Sequence, residues 1–70
     1  MARKRFVRYG GVCEDTVGVV KLALKLGYDQ HIIAGYFGDN QGRVSEVNTG
    51  KRWTDVAPAS ALPPDFPAQA

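Results

Sequence analysis

The four prolines of this chain, Pro58, Pro63, Pro64 and Pro67, all lie in its last segment, residues 54–70. Proline lacks a backbone N–H and has a locked φ, which keeps it out of helix interiors and central strands. The rest of the segment is rich in Ala and follows neither a 3.6-residue nor a two-residue apolar period. It therefore reads as an irregular tail with an extended, polyproline-like course. At the other end, Arg3, Lys4, Arg5 and Arg8 accompany Phe6, Val7 and Tyr9 and run into Gly10 and Gly11. This is either a short strand or a basic arm whose aromatic side chains rest on the body, and the arm is the preferred reading. Roughly 45 residues are left for a core, which requires tight three-helix packing or a second subunit.

Composition excludes several classes. No apolar run reaches the length of about 18 residues that marks a membrane span. The basic N-terminus is not followed by the apolar region of a secretory leader. Cys13 is the one cysteine and His31 the one histidine of the 70 residues, so neither an internal disulfide nor a structural zinc site can form. A lone thiol fits a reducing cytoplasm. No paired carboxylates, Ser/His arrangement or phosphate-binding loop is present, so the chain is not expected to be an enzyme, to hold a cofactor or metal, or to take a small-molecule substrate.

The net charge of +2 is unevenly spread. Residues 1–13 carry four basic side chains and no acid, residues 14–39 are net −2, residues 40–53 net +2 and residues 54–70 net −2. Two basic blocks around an acidic middle point to a polyanionic partner more than the total does.

Three segments carry helical patterning, which predicts an all-α body. The first covers residues 14–26, with Glu14 and Asp15 at its start, Lys21 and Lys25 at i,i+4, and Gly27 at its end. Its residues Val17, Val19, Val20, Leu22, Ala23, Leu24 and Leu26 cover more than half the circumference, with only Gly18, Lys21 and Lys25 in the remaining wedge. That arc is wider than one small core needs, so the arm or a second subunit is expected to cover the surplus. The second helix covers residues 30–37, capped by Asp29 and stopped by Gly38, with Ile32, Ile33, Ala34, Tyr36 and Phe37 apolar. A third helix, capped by Asp39 or Asn40, runs to Asn48 or Thr49 and ends at Gly50. Val44 and Val47 are its only apolar residues, so most of its surface faces solvent or a ligand.

Residues 30–47, QHIIAGYFGDNQGRVSEV, resemble the helix-turn-helix of bacterial and phage DNA-binding regulators. Ala34 is small where the next helix crosses, Gly38 supplies the positive φ of the turn, Ile33 and Phe37 lie under it, and Val44 and Val47 pin the third helix. Asp39 departs from the pattern, which has an apolar residue there; capping the third helix would account for it. NTGKRW (residues 48–53) resembles the end of many such units, where Gly closes the recognition helix and basic residues follow.

The resemblance implies a three-helix helix-turn-helix domain at residues 14–53, between a basic arm (1–13) and a Pro/Ala-rich tail (54–70). It implies a sequence-specific DNA-binding protein that regulates transcription, with the third helix in the major groove. Gln41, Gly42, Arg43, Ser45 and Glu46 then face bases, and Asn40, Lys51 and Arg52 face phosphates. Glu46 as an ordinary exposed charge and Asn40 as a cap alone are the competing readings. Arg3, Lys4 and Arg5 resemble the arms that enter a neighbouring minor groove. Trp53 is expected to pack against the second and third helices, His31 to lie on the surface and Cys13 to be inert. A homodimer joined through the first helix would supply two half-sites on double-stranded DNA. The alternative function is a helix-turn-helix used for protein contact, as an anti-activator or assembly adaptor.

Overall fold

The computed structural model describes residues 11–68, and the basic residues Arg3, Lys4, Arg5 and Arg8 lie outside that range. Three helices follow one another: α1 (Val17–Lys25), α2 (Gln30–Phe37) and α3 (Gln41–Asn48). No strand occurs among the described residues, so the body is all-α, as the patterning predicts.

α1 is shorter than its pattern. The chain first makes a turn in which the N–H groups of Thr16 and Val17 donate to the carbonyl of Cys13 at 3.0 and 2.8 Å. The Thr16 hydroxyl is buried and used locally, donating to the Gly11 carbonyl at 2.7 Å and accepting from the Cys13 N–H at 2.9 Å. Glu14 and Asp15 are exposed in this turn, ahead of the helix rather than in its first turn. At its far end the N–H of Tyr28 reaches the Ala23 carbonyl and that of Gly27 the Leu24 carbonyl, the paired bonds that close a helix on a left-handed residue.

The same pairing closes α2, and here it makes the turn. Gly38 has φ 69° and ψ 30°; its N–H donates to Gly35, and that of Asp39 to Ala34. A β-branched side chain in this backbone region meets its own carbonyl, so glycine is required. Two further residues bring the chain to Asn40, the N-cap of α3, whose side-chain oxygen accepts from the Gly42 N–H at 2.6 Å.

The core takes one stripe from each helix: Val17, Val20 and Ala23 of α1, Ile33, Ala34, Tyr36 and Phe37 of α2, and Val44 and Val47 of α3. Every position assigned to the turn and its supports is therefore buried or, at Gly38, left-handed. Val12 joins the core at 3% exposure, and its N–H donates to Asp39 Oδ2 at 2.9 Å. Residues 11–13 thus belong to the body and not to the arm.

Residues 54–68 have no helix or strand, as expected, but they do not form an extended tail. The segment turns at Pro63–Phe66, where the Phe66 N–H donates to the Pro63 carbonyl at 3.0 Å, and it lies along the body. It crosses α1 at Gly18: the Ala59 N–H donates to the Gly18 carbonyl at 2.9 Å, and a Cβ at residue 18 would sit 3.2 Å from the Ala57 carbonyl oxygen. Lys21 Nζ donates to the carbonyls of Trp53 at 2.6 Å and Val56 at 2.5 Å. Further along, the Phe66 ring lies 5.1 Å from Tyr28 and 4.6 Å from Tyr36, while the Tyr36 hydroxyl donates to Asp65 at 2.6 Å. Two of the three residues in the polar wedge of α1, Gly18 and Lys21, are therefore the seat of this strap. Tyr36 is buried beneath it, and Ile32 stays 38% exposed. The chain itself covers much of the surplus apolar surface, leaving Leu26 49% exposed, which weakens the argument for a dimer interface on α1.

Candidate nucleic-acid interface

α3 is attached to the body by a narrow apolar edge. Val44 and Val47, three residues apart, point inward, and Gln41, Gly42, Arg43 and Asn48 are exposed, with Ser45 and Glu46 half-buried between them. Asn40 sits at the start of the helix and Lys51 and Arg52 just beyond its end, all three exposed. A shallow depression of about 280 Å³ is lined by Asn40, Gly42, Arg43, Glu46 and Arg52. The fold thus gathers three of the expected base contacts and two of the expected phosphate contacts in one place. Gln41, Ser45 and Lys51 are not part of its wall.

The charges in this depression are partly matched. Arg43 Nε lies 3.9 Å from Asp39 Oδ1, and Arg52 Nη1 lies 3.8 Å from Glu46 Oε1. Arg52 also stacks over the Trp53 ring, 4.7 Å from its centroid. The Arg52–Glu46 pair is exposed on both sides, and pairs of this kind contribute about 0–1 kcal/mol, so Arg52 can exchange its carboxylate for another anion at little cost; Asp39 is only 20% exposed, and Arg43 meets it at the long separation of 3.9 Å. The described residues carry five basic side chains against seven acidic ones, a net −2. The positive charge of the whole chain thus comes from residues 1–10.

Three residues have roles that sequence reasoning did not assign. Asp39 does not cap α3; Asn40 does. The Asp39 carboxylate instead holds the Val12 and Asn40 N–H groups at 2.9 and 2.7 Å, while it faces Arg43. It fastens the start of the body to the turn before α3. Gly11 makes room for this contact, since a Cβ there would lie 2.6 Å from Asp39 Oδ2. No local pattern signals a bond between residues 12 and 39. Gly42, expected to admit the DNA backbone or a thymine methyl, has a local reason to be small: a Cβ would lie 2.8 Å from the capping oxygen of Asn40.

Trp53 is half-buried against the core, but its carbonyl is bound by Lys21 of α1 rather than by α2 or α3. His31 is exposed and Cys13 half-buried. No group of three His, Cys, Asp or Glu side chains suited to a metal ion exists among the described residues, and no helix there is long and apolar enough to cross a membrane. No protein-family model, curated protein or solved structure matches the chain.

Proposed function

We propose that the chain is a sequence-specific double-stranded DNA-binding protein, a cytoplasmic transcriptional regulator of the bacterial or phage helix-turn-helix type, with α3 in the major groove. The observation that carries this reading is how α3 is mounted. Two buried valines hold it to the body, a left-handed glycine sets the turn before it, and Gln41 and Arg43 are exposed on its first turn. Gln can pair both hydrogen-bonding groups of an adenine edge, and Arg those of a guanine, or a phosphate. Ser45 and Glu46 extend the readable face, and Asn40, Lys51, Arg52 and the basic residues 3–5 supply backbone contacts. Two copies on neighbouring half-sites supply the affinity that one eight-residue helix lacks.

A second reading, a helix-turn-helix module that binds protein, is favoured by one feature: the net negative body, in which Arg43 and Arg52 already face carboxylates. Binding-site selection on random duplex DNA, followed by titrations at graded salt, separates the two. A DNA reader enriches a consensus and loses affinity steeply with salt. Failure to enrich any sequence, with no salt-dependent binding to bulk DNA, overturns the DNA reading and leaves the protein-contact one.

A further inference from the structure

The strap is attached to the body entirely through residues that precede it. Its long-range hydrogen bonds run from Lys21 to the carbonyls of Trp53 and Val56, from Ala59 to Gly18, from Tyr36 to Asp65 and from Tyr28 to the Pro67 carbonyl. Its apolar anchors Trp53, Val56, Leu62 and Phe66 pack on the same core. Between body and strap lies an exposed connection, residues 49–52. Directly after it, Trp53 has φ 53°, and it is the one non-glycine residue with positive φ among the described residues.

We infer that residues 53–68 are an exchangeable unit, and that the α1–α2 groove takes the strap of a second copy of this chain, giving a reciprocally exchanged homodimer. Each bond named above joins two parts of one sequence, so it forms equally well when the strap comes from another molecule. Only the connection changes. In the closed chain it holds Trp53 in a backbone region that disfavours side chains. Straightened between two bodies, it lets Trp53 return to an extended backbone. Short connections under strain favour such exchange, and the exchanged element brings its contacts with it. The proline content adds to this: Pro63, Pro64 and Pro67 offer no N–H, so few backbone bonds have to break before the strap leaves. In the exchanged form the two connections pass each other at the two-fold axis, which places Lys51 and Arg52 of both copies together beside the ends of both α3 helices. The inference is independent of the ligand that α3 takes.

The test uses two variants, Gly18→Cys and Ala59→Cys, each also carrying Cys13→Ser. A Cβ at residue 18 would lie 3.7 Å from the Ala59 Cβ, within the span of a disulfide. One variant bears an extra tag, and the two are mixed, unfolded, refolded together and oxidised. The expected result is an 18–59 cross-link between molecules, at about twice the 7.6 kDa chain mass plus the tag, whose yield rises in proportion to protein concentration. A Gly-Ser-Gly-Ser insertion between Lys51 and Arg52 relaxes the connection and should lower that yield several-fold. A yield no greater than that obtained with His31→Cys in place of Gly18→Cys, or one unaffected by the insertion, overturns the inference. Sedimentation equilibrium of the unmodified chain guards against a folding defect in the cysteine variants. A dimer that grows with concentration and is lost with the insertion supports exchange, and 7.6 kDa at every concentration up to the millimolar range refutes it.

Discussion

Phe66→Ala tests whether the C-terminal strap is part of the folded body. The ring is partly buried and sits between two others, edge-on to Tyr28 at 5.1 Å and tilted against Tyr36 at 4.6 Å. Truncating a fully buried Phe costs about 3–5 kcal/mol, and this ring, exposed on one side, should lose about half of that, roughly 1.5–2.5 kcal/mol. A 70-residue chain has a total stability on the order of 3.5–10 kcal/mol, so the loss is a large fraction of it. At about 4–8 °C per kcal/mol for a chain of this size, the melting temperature should fall by roughly 6–20 °C. Thermal and urea unfolding followed by circular dichroism at the helical band measure this, with exposed Pro64→Ala as the control. If the strap were a solvated tail, Phe66→Ala would behave as a surface change, within about 0.5 kcal/mol. A melting temperature equal to that of the Pro64 control would refute the docked strap, and with it the account of why α1 can be apolar over so wide an arc.

The remaining expectations concern α3 and its supports. Gln41→Ala or Arg43→Ala should weaken binding to the selected site by about 1–3 kcal/mol while affinity for random DNA changes far less; an equal loss on both would mean that these side chains touch only phosphate. Gly38→Val places a β-branched residue at φ 69° and should cost at least about 2 kcal/mol, seen as a lower melting temperature and a weaker helical signal. Asp39→Leu strands the buried Val12 N–H and should cost about 1–3 kcal/mol in urea unfolding; a neutral result would show that water replaces the carboxylate there. Replacing Arg3, Lys4, Arg5 and Arg8 by Gln should reduce the slope of log affinity against log salt by up to about 3.6, at about 0.9 for each phosphate released. An unchanged slope would assign the phosphate contacts to α3 and Lys51–Arg52 alone.

What the sequence determined by itself is the local punctuation. Helix ends are set by φ and by orphaned backbone groups within a few residues, so Gly27, Gly38 and Gly50 were readable as stops and Asn40 as a cap candidate. The inward residues of α3 followed from a single spacing rule, because this helix has one narrow apolar face, whereas the broader apolar set of α2 also counted Ile32, which stays exposed. The exposed candidates Gln41 and Arg43 followed in turn as what the narrow face of α3 leaves over. α1 is the instructive failure. Its apolar arc is real, but periodicity counts side chains and cannot say which part of the chain will cover them. Gly18 and Lys21 read as a solvent wedge because one has no side chain and the other is charged. In the fold, those same properties let a backbone cross closely and let an ammonium bind two carbonyls. Asp39 read as a cap because capping is the local use of an aspartate, and its bond to Val12 spans 27 residues. Only the tertiary structure decides such roles, because they depend on a partner brought near by folding of the whole chain and not by neighbouring residues.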